Sequence, residues 1–83
     1  INTASIYALT GDVYYQLKNY KKAEEFYSQA RNLYEKFFSS SHPEYVKILS
    51  KQAKVYYMEK DFKRAKRNIE EALAKYESYI KQF

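Results

Sequence analysis

"YYQLKNYKKAEEFYSQAR", residues 14–31, returns later in the chain as "YYMEKDFKRAKRNIEEAL", residues 56–73. Tyr14 and Tyr56 stand 42 residues apart, and the same offset relates Tyr15 to Tyr57, Tyr20 to Phe62, Ala23 to Ala65 and Ala30 to Ala72. Outward from these stretches it also relates Gly11 to Ala53, Tyr34 to Tyr76 and Phe37 to Tyr79. Self-similarity at a fixed period of this size marks a stacked-repeat architecture, in which one supersecondary unit recurs and each copy buries a face of its neighbour.

Each repeat reads as two helices. In the first, Ile6, Val13, Tyr14 and Leu17 give one apolar face, and Ala23, Phe26, Tyr27, Ala30, Leu33, Tyr34 and Phe37 follow at helical steps of three and four. In the second, Tyr45, Leu49, Ala53 and Tyr56 precede Ala65, Ile69, Ala72, Tyr76 and Ile80. Asn19 and Asp61 suit helix entry, because their side chains accept bonds from the free N–H groups of the next turn. "SSSHPEY", residues 39–45, separates the repeats, with Pro43 fit for a first helical position, where a missing N–H costs nothing, and His42 beside it as a helix-entry residue. The expectation is one all-α domain over residues 1–83: a first repeat at about 3–38, a linker at about 39–42 and a second repeat at about 43–80. Gly11 and Ala23, like Ala53 and Ala65, are expected where paired helices cross closely.

Composition agrees with tight helical packing. Eighty-three residues make a thin core, and with one Gly and one Pro there is little material for turns or long loops. The absence of Cys excludes a disulfide framework and a thiolate zinc site. No apolar run approaches the roughly 18 residues of a membrane span. The chain begins at Ile1 and shows no signal segment, so it is read as a soluble piece of a longer protein, with the compartment open and the cytoplasm as the expectation. A net charge of +5 suits an acidic partner, a nucleic acid or simply a solvated surface.

The pattern of bulky, small, aromatic and alanine positions resembles the tetratricopeptide repeat. Tyr7, Gly11, Tyr14, Ala23, Tyr27 and Ala30 carry the likeness in the first repeat, and Leu49, Ala53, Tyr56, Ala65, Ile69 and Ala72 in the second. The usual period of that family is about 34 residues. Here eight further residues, "FFSSSHPE" at 37–44, lengthen the junction, which looks like the kinesin-light-chain type. The resemblance implies two tandem helix-turn-helix hairpins, four antiparallel helices in all, as a fragment of an α-solenoid. Leu33, Phe26 and Leu17 give way to Lys75, Asn68 and Glu59, so the second repeat's faces are expected to be more open or covered by neighbours. The terminal "ALAKYESYIKQF", residues 72–83, also resembles the arrays that precede caspase-like CHAT domains in some bacterial proteins.

Catalysis finds no equipment here. His42 is the sole His, there is no Cys to pair with it, and Ser39, Ser40 and Ser41 are neighbours in sequence only. Glu24 and Glu25, like Glu70 and Glu71, point different ways on a helix and do not converge as metal ligands. One Gly cannot build a phosphate loop. The expectation is therefore a non-catalytic chain with no cofactor, no metal and no small-molecule substrate.

Binding remains. The resemblance implies that the first helix of each hairpin lines a concave groove, and the sides turned away from the second helices carry Ser5, Ala8, Asp12, Tyr15 and Gln16, then Lys47, Ser50, Lys51, Lys54, Tyr57 and Met58. Lys47, Lys51 and Lys54 share one helix face that Tyr57 continues, a natural complement to an acidic peptide. The expected peptide-binding residues are Asp12, Tyr15, Lys47, Lys51, Lys54 and Tyr57. Lys47 and Lys51 look like the basic pair of carboxylate-clamp members, although Ala8 and Asp12 stand where that class presents Lys and Asn. Two alternatives stay open. "KNYKK" (18–22) and "KDFKRAKR" (60–67) form a basic edge over Tyr20 and Phe62 that suits nucleic acid. Tyr76, Tyr79, Ile80 and Phe83 at one end, with Ile6 at the other, suit self-association.

Overall fold

The computed structural model describes residues 3–38 and 42–81. Four helices run in the order α1 (Thr3–Gln16), α2 (Tyr20–Phe37), α3 (Pro43–Met58) and α4 (Phe62–Ile80). Helix α1 packs on α2 and α3 on α4 as two hairpins, and α2 packs on α3 to join them. Residues 39–41 of the expected linker, and Phe83 of the expected terminal face, lie outside the described residues.

The hairpin turns have one design used twice. At the end of α1, the Lys18 N–H bonds the Tyr15 carbonyl at 3.0 Å and the Asn19 N–H bonds that of Tyr14 at 2.9 Å. At the end of α3, Lys60 bonds Tyr57 at 3.0 Å and Asp61 bonds Tyr56 at 2.8 Å. This paired closure satisfies the last carbonyls of a helix and puts one residue in the left-handed region, usually Gly. Here Lys18 (φ 63°) and Lys60 (φ 65°) occupy it. The next residue at once opens the following helix: Asn19 Oδ1 accepts from the Lys22 N–H at 3.3 Å, and Asp61 Oδ1 from the Arg64 N–H at 3.2 Å. Between the hairpins, His42 caps α3 through Nδ1, which accepts from the Glu44 N–H at 3.1 Å, and its ring stacks on Phe38 at 4.2 Å. Pro43 is the first residue of α3.

Small residues set the helix spacing. Ala23, Ala30, Ala53, Ala65 and Ala72 are all buried, as is Gly11. A Cβ added at Gly11 would lie 2.6 Å from Tyr27 Cδ1 and Cε1, so the partner that requires glycine is the Tyr27 ring rather than Ala23. Ile48, Leu49 and Val55 are fully buried, each contributing about 1.5–3 kcal/mol relative to exposure. Tyr14 stacks on Phe26 at 5.5 Å and fills the first hairpin.

Several residues on the apolar helix faces are exposed. Ile6, Val13 and Leu17 lie more than half open, as does Phe37, while Ile69, Tyr76 and Ile80 lie about half open. The molecule is only 16 Å thick along its shortest axis, so a helix face turned away from both its hairpin partner and the other repeat meets solvent. Phe62, expected beneath the basic edge, is 56% exposed and packs edge-on against Tyr57 instead. Tyr20 is partly buried, edge-on against Tyr15.

Candidate binding site

A pocket of about 340 Å³ opens where α1 meets α3, lined by Asp12, Tyr15, Gln16, Tyr27, Lys51 and Lys54. Its floor is held by a three-way polar contact. The Tyr27 hydroxyl donates to Asp12 Oδ1 at 2.5 Å, and Lys51 Nζ donates to both carboxylate oxygens, at 3.0 and 2.8 Å. Lys51 Nζ also lies 6.0 Å from the centre of the Tyr27 ring. Burial, together with the adjacent Asp12 charge, pushes the Tyr27 phenol well above its usual range, so it stays a neutral donor. The net effect is that Asp12 neutralises Lys51 and ties the two repeats together.

Lys54 is different. Its Nζ stands 5.5 Å over the Tyr15 ring, and among the described residues it carries no ion pair. On its other side lies a more open cavity of about 430 Å³ that includes Tyr57 and Phe62. Of the six residues singled out from sequence, Asp12, Tyr15, Lys51 and Lys54 thus surround one pocket. Tyr57 adjoins it across Lys54, and Lys47 lines neither cavity, pairing instead with Glu44 at 3.4 Å on the surface. Of two other residues placed on the groove side, Ala8 is buried, whereas Ser50 is half-buried and donates its hydroxyl to the Val46 carbonyl of its own helix at 3.3 Å.

The residue that sequence reading passed over is Arg31. From α2 its Nη1 donates to Gln52 Oε1 at 3.1 Å, its Nε to the Tyr45 hydroxyl at 3.3 Å, and its Nη2 to Glu71 at 3.5 Å. Buried Gln52 passes the network on, accepting from Asn68 Nδ2 and donating to Ser28 Oγ, both at 3.4 Å. Every buried side-chain nitrogen and oxygen among the described residues has a partner. The signal was present in the sequence: Arg31 is matched by Leu73 and Asp12 by Lys54, so charge breaks the repeat where the two hairpins meet.

The chain is thus two stacked helical hairpins of 42-residue period, with alanines at the crossings. The family model of the tetratricopeptide repeat matches residues 2–78. The chain belongs to the tetratricopeptide repeat family. Searches of curated proteins and of solved structures return no match. Tetratricopeptide repeats serve generally as protein–protein interaction modules and typically as non-catalytic scaffolds. The second helix of each hairpin in this tetratricopeptide chain is the longer one, 18 residues in α2 and 19 in α4. No described helix is long and apolar enough to cross a membrane, and no group of three His, Cys, Asp or Glu converges among the described residues.

Proposed function

We propose that this chain is a peptide-docking scaffold that holds an extended acidic segment along α1 and α3, with Lys54 as the charged anchor. One observation carries the reading: among the described residues Lys54 is the cation of this face without an acidic partner, and it is set between Tyr15 and the Tyr57–Phe62 pair. A carboxylate at Lys54 next to an apolar or aromatic side chain on Tyr57 answers both features, because aromatic walls exclude water and strengthen the charge contact. Asp12 and Lys51 act as the rigid base, since their charges are already spent on each other. Tyr15 forms the near wall. Lys47, exposed beyond the pocket and paired with Glu44, lies at the outer margin of this groove.

The test is selection from a random peptide library, followed by titration of the winners into the wild-type chain and into Lys54→Glu and Tyr57→Ala. Selected peptides should be enriched in Asp or Glu beside an apolar residue, and Lys54→Glu should weaken them tenfold or more, about 1.4 kcal/mol. Equal affinity for wild type and Lys54→Glu would sink the proposal.

A second reading, binding of single-stranded nucleic acid along the basic edge, is favoured by the exposure of Phe62 between Lys60 and Lys63, where a base can stack. Amide shifts on adding a short oligonucleotide, confined to residues 18–22 and 60–67 and lost steeply with salt, would select it over the peptide groove.

A further inference from the structure

The two repeats build corresponding cavities with opposite charge. In the first, the pocket beside Asp12 and Tyr27 is entered by Lys51 of α3, whose ammonium bonds both Asp12 carboxylate oxygens. Moved forward by the 42-residue period, Asp12 and Tyr27 become Lys54 and Ile69, and these two line the open cavity of about 430 Å³ formed by α3 and α4. Glu24, which feels the charges of Glu59 and Arg64 from the second repeat, becomes Lys66, and Lys66 lines that same cavity. Acid has been exchanged for base at both positions.

The rest of this cavity is apolar. Ala53 and Ala65 are buried at its base, and Tyr57, Phe62 and Ile69, each about half exposed or more, surround them. Lys54 and Lys66 are its charged lining residues, and among the described residues neither carries an ion pair. A lysine lays its methylene stem along an apolar wall while the ammonium stays in water. Covering this cavity with an uncharged group would therefore strip water from two cations and return nothing to them. A helix like α3, with the cation of Lys51 at the point of entry, would meet like charge here, and one like α1, with Leu9 at that position, brings no counter-charge. The complement of the cavity is an apolar side chain bracketed by carboxylates.

We propose that Lys66 is a second anchor for the docked peptide: an apolar residue of the ligand fills the Tyr57–Phe62–Ile69 cavity, while acidic residues on its two sides meet Lys54 and Lys66. This rests on the docking reading above and adds a sequence requirement to it, two acids bracketing one apolar residue in place of one acid beside it. It also carries the peptide past α3 and onto α4, a helix that the spacing of the α3 lysines gives no reason to include. Lys66 thus acts as a specificity-determining residue, since a ligand with a single acid satisfies Lys54 and leaves Lys66 without a partner.

The experiment selects short peptides with a fixed central Leu or Phe and all other positions random on the wild-type chain, then titrates the winners into wild type, Lys54→Glu and Lys66→Gln. Lys66 is exposed, so Lys66→Gln should keep wild-type helicity. Winners should carry Asp or Glu on both sides of the central residue. Changing either acid to Gln should weaken binding to wild type by about three- to fivefold, the weight of an exposed charge pair. One of those two changes should cost nothing further in Lys66→Gln, which pairs that acid with Lys66. Because the cycle also alters the peptide, it does not depend on any one protein variant. Winners with one acid, weakened by Lys54→Glu and bound equally by wild type and Lys66→Gln, would overturn the second anchor and leave the docking reading standing. Winners without acids, or indifferent to Lys54→Glu, would overturn both. Peptide displaced by rising concentrations of the chain itself would put a second copy in the cavity and overturn the second anchor equally.

Discussion

The contact between Gly11 and Tyr27 offers the sharpest test of the packing logic, because the second repeat has solved the same position differently. A Cβ at residue 11 meets Tyr27 Cδ1 and Cε1 at 2.6 Å and Cγ at 3.2 Å, distances that require something to move. The ring has little freedom to do so: it is 2% exposed, and its hydroxyl is fixed on Asp12 at 2.5 Å. Overpacking of this kind costs about 1–3 kcal/mol, whereas Ala in place of Gly inside a helix returns about 1 kcal/mol. Gly11→Ala should therefore be neutral to destabilising, by up to about 2 kcal/mol. In the second repeat the pair is Ala53 and Ile69, a larger residue facing a slimmer one. In a Tyr27→Ile background the clash disappears, and Gly11→Ala should stabilise by up to about 1 kcal/mol. The coupling energy of this double-mutant cycle is then about 1–3 kcal/mol. Tyr27→Phe keeps the ring and loses only the hydroxyl, so there Gly11→Ala should cost nearly what it costs in wild type. Urea unfolding followed by far-UV circular dichroism reads all six proteins, at low concentration to avoid association. A Gly11→Ala substitution that stabilises by the same amount in all three backgrounds would refute the reasoning.

Arg31→Ala should destabilise by about 2 kcal/mol, because it removes the charged donor to Gln52 and Tyr45 from a partly buried junction, and Arg31→Lys should restore less than half. A loss below about 0.5 kcal/mol, the usual surface value, would show that water replaces the guanidinium without penalty. For Glu24, burial and then the like charge of Glu59 raise the carboxyl above its ordinary 4.5, with Lys21 and Arg64 offsetting part of this. The folded state thus holds the proton more tightly than the unfolded one, so this group's contribution to stability falls as pH rises through and above that range. Glu24→Gln should melt higher than wild type at neutral pH, with the advantage fading below pH about 4.5; an advantage that grows on acidification would contradict it.

Much of the fold was legible from periodicity. A constant 42-residue offset, Asn19 and Asp61 before helical runs and Pro43 after His42 are local signals, and local hydrogen bonding enforces them. The alanines also declared themselves, since their size sets the helix spacing. The turn lysines did not. Nothing in "LKN" or "MEKD" announces a left-handed backbone, which Lys18 and Lys60 adopt because the closing bonds of the helix and the cap of the next leave a single residue between them.

The candidate site divides along the same line. Lys47, Lys51 and Lys54 fall on one helix face by spacing alone, and from sequence they look equivalent. Tertiary structure separates them: Lys51 lies against Asp12 from the other repeat, Lys47 pairs within its own helix, and Lys54 stands over Tyr15. Likewise, helical spacing states that Ile6, Val13, Ile69 and Tyr76 are apolar on one side, but not whether that side has a neighbour. The sequence by itself determined which residues share a helix face and where α2, α3 and α4 begin, because those follow from interactions within a few residues along the chain. Which faces are covered, which charges are paired and which lysine of the α3 face stands over an aromatic ring instead were decided by the crossing of helices distant in sequence, through contacts that no local pattern encodes.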